Sequence, residues 1–212
     1  MKNTHLEHIT MGLTEGSASD TQKIEKIFYF VRDEIKFDMV ANQFMSAEEV
    51  LKAKKGACMN KALLLHDMAK KAGVPARLHF MRVKKTALED LLHPAAYKLW
   101  PDNFFHTYAE VQLNNTWIPV EPTFDKELHD ILLEKRLNFG RYEDRRNISI
   151  EFHEDGVRGA QQDTIVEGSD PIYDSTLAPL KKSLDTVPEW LMEILPFLFN
   201  ISSNWINERV RK

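Results

Sequence analysis

Residues 54–73, KKGACMNKALLLHDMAKKAG, carry the chain's single cysteine, Cys58, two positions after a glycine and at the start of a helical pattern. A thiol attacks a carbonyl as its thiolate. A nucleophilic cysteine therefore needs a base to take its proton and donors for the oxyanion that forms. A helix N-terminus helps with both, because its unpaired N–H groups and dipole favour the thiolate and present donors beside it. Cysteine is also a common small buried hydrophobe. Taken alone, this stretch favours that plainer reading, so the case rests on what other residues add.

A histidine is the natural base. His66 lies on the same helix as Cys58, about 12 Å along its axis, and cannot reach. His79 and His106 fall on predicted strands and both stay open. His106 has better company. The apolar alternation of HTYAEVQL and TWIPVEPTF on either side of Asn114-Asn115 signals a hairpin, since asparagine tolerates positive φ. A two-residue turn puts Tyr108 opposite Glu121 and His106 opposite Thr123. Glu121 and Asp125 then lie diagonal to His106 on one face, about 7–8 Å away between Cα atoms and within side-chain reach. A four-residue loop keeps this parity and a three-residue loop destroys it. A carboxylate beside a histidine is the orienting arrangement that a Cys–His couple uses. Each member alone has a bland reading, a satisfied strand histidine or a solvated carboxylate. Their combination carries the weight.

Composition narrows the alternatives. The chain has 212 residues, 43% hydrophobic and 28% charged, with a net charge of −4, which suits a globular fold of one domain, perhaps with an appendage. No basic stripe interleaved with aromatics points to nucleic acid. One cysteine excludes an internal disulfide and any zinc site with two thiolates, and the histidines show no HExxH pattern, so no metal or cofactor is expected. The start, MKNTHLEHITMGLTEG, has no apolar core of a signal peptide, which makes a cytoplasmic protein the expectation. The run WLMEILPFLFNI is too short to span a bilayer.

The elements that must position these residues are legible in outline. Ile24, Ile27, Phe28, Val31 and Ile35 recur at helical spacing over 21–36, below a cap formed by Ser19 and Gln22. Ser46 and Glu49 form a capping box for a short helix through Lys55, with Gly56 as its left-handed cap. The Cys58 helix ends at Gly73-Val74-Pro75. ARLHFMRV reads as a strand, residues 86–98 as a helical insertion, 126–137 as a helix and 148–152 as a weak strand. The 84–105 insertion, with Trp100, Phe104 and Phe105, is expected either to wall the cleft or to pin itself to the core. An amphipathic C-terminal helix after Pro188, interrupted at Pro196, is expected to pack on the domain, or to support a dimer if it does not. Helices first and antiparallel strands later make an α+β fold.

The stretches GACMNKALLLHDMAKKAGVPARLHF and HTYAEVQLNNTWIPVEPT resemble the core of the transglutaminase-like superfamily, the papain-like cysteine fold of transglutaminases and related bacterial proteases. Gly56, Cys58, Gly73 to Arg77, His106, Trp117, Pro122 and Thr123 carry the likeness, over about residues 24–124. The resemblance implies a core domain at 20–155 with a C-terminal extension at 156–212, and a catalytic triad of Cys58, His106 and Glu121. The family usually places aspartate where this chain has Glu121, and Asp125 is the fallback orienter. Thr107-Tyr108 follows the histidine where Ala-Trp is commoner. The Cys58 N–H is the first-choice oxyanion donor, with Asn42 or Gln43 as side-chain candidates. The implied activity is acyl transfer on a protein, peptide or small amide substrate, by hydrolysis or transamidation. The rival readings are a catalytically silent domain that binds peptides or protein partners, and a redox-sensing thiol.

Overall fold

The computed structural model describes residues 5–40, 42–138, 150–157, 166, 172–174, 176, 178–184 and 187–212. Its elements follow the sequence pattern with shifted ends. Helix α1 (His5–Thr14), which the sequence did not announce, precedes α2 (Asp20–Glu34), whose Ile24, Ile27, Phe28 and Val31 are fully buried. Ser19 caps α2 by accepting from the Gln22 amide at 3.2 Å, while the Gln22 side chain accepts from Ala18 rather than from Ser19. Lys36, expected inside this helix, begins the two-residue strand β1 (Lys36–Phe37), which pairs in parallel with β2 (Lys55–Gly56). Between them, α3 (Ala47–Ala53) opens on the full Ser46–Glu49 capping box. The left-handed residue after α3 is Lys54, at φ 55°, and not Gly56.

The nucleophile helix α4 (Cys58–Lys71) ends at Gly73, φ +82°. It is the hub of the fold, packing against α1, α2, α3 and the strands β3 (Ala76–Lys84) and β4 (Asn103–Leu113). The single helix expected over 86–98 is instead a 3₁₀ turn, Lys85–Leu88, and a one-and-a-half-turn helix α5 (Pro94–Leu99) begun by a proline. Strand β4 starts at Asn103, three residues before His106, so that Lys84 faces Asn103 across the ladder. The turn to β5 (Thr116–Val120) forms as expected, with Asn114 and Asn115 at φ 51° and 63° and Leu113 opposite Thr116. With β6 (Ile172–Asp174) the antiparallel order is β5-β4-β3-β6.

Helix α6 (Lys126–Glu134) ends three residues short of the predicted limit. Of the weak strand expected over 148–152, residues 148 and 149 lie outside the described residues, and 150–152 pair with nothing as a strand. Helices α7 (Ala178–Leu184) and α8 (Glu189–Trp205) follow, the latter continued by a π-helical turn, Ile206–Val210. Pro196 sits within α8 without ending it. Two apolar clusters result. One joins α1–α4 to β4 and β5. The other joins Leu191, Leu198, Phe199, Ile206 and Val210 to α5, α6 and β1, so the C-terminal helix packs at home. No helix of the described residues is long and apolar enough to cross a membrane.

Candidate active site

Cys58 is the first residue of α4, half-buried, in the turn whose amides have no intrahelical acceptor. The approach is fixed by Asn60, whose Oδ1 accepts from the Ala57 amide at 3.0 Å and whose Nδ2 donates to the Gln43 carbonyl at 3.1 Å. Asn60 needs a neighbour without a side chain, because a Cβ on Gly56 would sit 2.7 Å from the Asn60 Cβ. This is the physical role of the glycine in Gly-x-Cys. One turn further, Lys61 is fully buried and donates to the Arg32 and Ile35 carbonyls at 3.0 and 2.6 Å, tying the Cys58 turn to the end of α2. Burial pushes its amine down to about 7, against the pull of Asp125 and Asp33.

His106 projects from β4, 2% exposed, and its Nε2 meets Glu121 Oε1 at 2.9 Å. Glu121 stands one residue beyond the last ladder pair, Ala109 with Val120. Its backbone is held instead by Val157: the Glu121 amide donates to the Val157 carbonyl at 3.2 Å, and the Val157 amide to the Pro119 carbonyl at 2.8 Å. The register argument thus located the carboxylate correctly, although the ladder itself stops short of it. Burial alone would lower the basicity of the His106 ring. The negative charges of Glu121 and of Cys58, and the hydrogen bond to Glu121, outweigh it and raise the imidazole to about 10. With Nε2 engaged by Glu121, Nδ1 is the nitrogen left for the thiol.

The other candidates are occupied elsewhere. Asp125, the fallback orienter, caps α6 by accepting from Leu128 at 3.1 Å. It also accepts from the Phe37 amide at 2.7 Å and takes both Arg211 guanidinium nitrogens at 3.0 and 2.7 Å. Burial would raise its carboxyl, but Arg211 and the Phe37 amide hold it down at about 2. The strand ends before Asp125 and the side chain turns into this clamp. His79 pairs with Glu110 at 3.2 Å between the rings of Tyr108 and Tyr173. His66 lies 2.7 Å from Asp67 on α4. Gln43 reaches the site, with its amide donating to the Val40 carbonyl, whereas the Asn42 side chain accepts from the Phe44 amide at 3.0 Å. Among the described residues no group of three or more His, Cys, Asp or Glu side chains could hold a metal.

Cys58 and His106 open on a cleft of about 360 Å³. Phe37, Phe44, Trp100, Phe104 and Phe105 line it, as does the apolar face of α8. The 84–105 segment therefore does wall the cleft. The contribution of α8 was not foreseen, and its only sequence signal was an apolar stripe that packing alone explains equally well.

The family model described as the transglutaminase-like superfamily matches residues 7–122, which include Cys58, His106 and Glu121. The chain belongs to the transglutaminase-like superfamily. At the level of the family this supports a cysteine-dependent enzyme. Among solved structures, a candidate protease from Parabacteroides distasonis is similar at 13% identity and a TM-score of 0.40, over 56% of this chain and 23% of that one. A candidate cysteine protease from Cytophaga hutchinsonii is similar at 17% identity and a TM-score of 0.41, over 56% of this chain and 36% of that one. The chain thus spans about a quarter to a third of those proteins. No curated protein is significantly similar in sequence.

Proposed function

We propose that the protein hydrolyses an amide or peptide bond by cysteine-dependent acyl transfer, with Cys58 as nucleophile, His106 as proton carrier and Glu121 as the carboxylate that orients it. One observation carries this reading: the buried His106 ring that meets Glu121 at 2.9 Å opens on the same cleft as Cys58 at the first turn of α4. In the ionised couple the sulfur holds the electron pair and His106 the proton. Attack forms the S–C bond and moves the carbonyl electrons onto oxygen, beside the first-turn amides of α4, with the Cys58 N–H as the first donor. Collapse expels the amine, which takes the proton from His106, and leaves a thioacyl enzyme with neutral imidazole. Water then bonds to the acyl carbon as His106 takes one of its protons. A second collapse releases the acid and restores the couple.

An amine in place of water would give transamidation. Water is the favoured acceptor because it is always present, and among the described residues no carboxylate lines the cleft to gather an ammonium. On this reading residues 20–155 form the catalytic unit and 156–212 an extension, of which α8 and the turn after it pack against that unit. The unpaired thiol suits a reducing cytoplasm. The rival, a silent peptide-binding domain, rests on glutamate standing where the family prefers aspartate, and it is weakened by the reach of Glu121 to the ring. The deciding measurement is the rate of Cys58 alkylation by iodoacetamide at neutral pH, alongside turnover of peptide amides. The His106→Ala variant is expected to alkylate at least about tenfold more slowly and to lose turnover. Equal alkylation rates in the two proteins would overturn the couple and leave the binding-domain reading.

A further inference from the structure

The family model ends at residue 122, yet much of the cleft wall is built by residues 187–199. Leu191, Leu195 and Phe199 of α8 face the space, and Phe199 meets Trp100 edge-on at 5.2 Å. This wall is firmly anchored. The Trp205 indole donates to the Asp90 carbonyl at 3.0 Å, Ser203 to Asp38 at 2.9 Å, and Arg211 closes on Asp125. The pocket is therefore largely preformed, as small-molecule and side-chain sites usually are.

Its chemistry is selective. Of the described residues lining the cleft, only Cys58, His106 and Arg82 are ionisable, and Arg82 is an exposed residue whose guanidinium lies 4.9 Å from the Phe105 ring. A cation entering this space would lose its water and find no carboxylate among the described lining residues, an uncompensated burial that strongly disfavours it. An anion would meet only Arg82. At about 360 Å³ the cleft exceeds twice the roughly 150 Å³ cavity that holds a benzene ring. During the reaction the acyl group becomes bonded to the Cys58 sulfur, so its substituent must occupy the space that opens on that sulfur. That space is this cleft.

We propose that α8 forms a specificity pocket for a large uncharged apolar group, aromatic or branched aliphatic, on the acyl side of the carbonyl that Cys58 attacks. The inference rests on the acyl-transfer reading given above and names the substrate class for the same site. It also assigns the C-terminal extension a direct part in selection: Leu191, Leu195 and Phe199 are binding residues supplied from outside the family core.

The test uses the full chain and three chloromethyl ketones, in which the thiolate displaces chloride to form a thioether. The ketones derive from N-acylated phenylalanine, alanine and lysine, and inactivation rate constants are read by mass spectrometry of the Cys58 peptide. In the wild type the phenylalanine ketone is expected to react at least about tenfold faster than the other two, the discrimination that a few buried methylenes provide. In Leu195→Glu and in Met192→Glu, the latter at a cleft residue 38% exposed, the phenylalanine-to-lysine ratio should fall at least tenfold as a carboxylate enters the wall. Circular dichroism establishes that each variant is folded before labelling, since an unfolded chain would react with the three ketones alike. Equal rates for the three ketones, together with His106-dependent iodoacetamide alkylation, would overturn the pocket and leave the couple standing. A wild-type preference that neither variant changes would also overturn it, since selection would then lie elsewhere. Slow, His106-independent reaction with iodoacetamide would mark failure of the acyl-transfer reading itself.

Discussion

Glu121→Gln isolates the charge that the mechanism assigns to the orienting residue. Glutamine keeps the length and an acceptor oxygen for His106 Nε2, so packing around the buried pair changes little. In the wild type, burial opposes the imidazolium, and Glu121 and Cys58 overcome it, raising the ring from 6.5 to about 10. At about 1.36 kcal/mol per unit, that rise favours the charged ring by about 5 kcal/mol. Of the two negative partners, Glu121 has the larger effect on the ring. Assigning it roughly half gives about 2–3 kcal/mol, or ~30- to 150-fold in the equilibrium between ionised and neutral couples. Alkylation of Cys58 by iodoacetamide at neutral pH should therefore slow by at least about tenfold. A second readout follows from linkage. Below 6.5 the ring is protonated whether the chain is folded or not, and between 6.5 and about 10 only the folded chain keeps the proton. The stability due to this pair is thus full below 6.5 and is lost as pH rises towards 10, by up to about 1.4 kcal/mol per unit. In denaturant unfolding across that window, the stability of Glu121→Gln should therefore rise with pH relative to that of the wild type. The reasoning fails if the variant alkylates at the wild-type rate and unfolds with the wild-type pH dependence.

Three further perturbations probe the supports of the site. Lys61, held down at about 7 by burial against an ordinary 10.5, gives a linkage of opposite sign, since between these values the unfolded chain binds the extra proton. Lys61 thus adds stability as pH rises from 7, offsetting over the same window the loss due to His106, and Lys61→Met should make the net fall with pH steeper in the same unfolding series. Arg211→Met leaves Asp125 buried without its bidentate partner and should cost about 3–5 kcal/mol. Asp125 contributes stability above its ordinary 3.8 that is lost as pH falls towards about 2, so the variant should also unfold at a higher pH on acid titration. Gly56→Ala drives a methyl to within 2.7 Å of the Asn60 Cβ. It should cost about 1–3 kcal/mol on thermal unfolding and slow Cys58 alkylation, because Asn60 fixes the turn that presents the thiol.

What was legible in the sequence, and what was not, divides by the range of the forces involved. The Ser46–Glu49 box, the Cys58 helix and the Asn114-Asn115 turn are local, each specified by residues a few positions apart, and all formed as expected. The turn's parity was enough to bring Glu121 to His106 although the ladder stops at Val120, because the face on which a strand residue points is conserved by one extended residue more. The misreadings arose where a distant partner outweighed a local rule. Gly56 looked like a helix cap by propensity, but its bareness serves Asn60, and Lys54 takes the left-handed turn. Asp125 fitted the diagonal geometry equally well until Arg211, far along the chain, claimed it. Nothing near residue 125 could have announced that.

The placement of Arg211 bears on how the couple keeps its geometry. A cysteine on a helix and a histidine on a strand stay in register only if helix and hairpin cannot slide past each other. Here α4 packs directly on β3 and β4, and Lys61 pins its first turn to the carbonyls that end α2. From those carbonyls the chain runs into β1, whose Phe37 amide and carbonyl are held by Asp125 and Arg211. Asp125 lies four residues after Glu121 on the same loop. Polar contacts, buried at Lys61 and the Phe37 amide and part-buried at Arg211, together with the backbone between them, therefore link the chain beneath the thiol to the chain that carries the orienting carboxylate, and the C-terminal turn supplies the closing member. Because the same turn continues α8, the residue that clamps the couple and the helix that walls the cleft belong to one element. Loosening it by Arg211→Met should thus impair both alkylation of Cys58 and the selectivity between apolar and charged ketones. Surface variants of α1, which contact neither Asp125 nor the cleft, should affect neither.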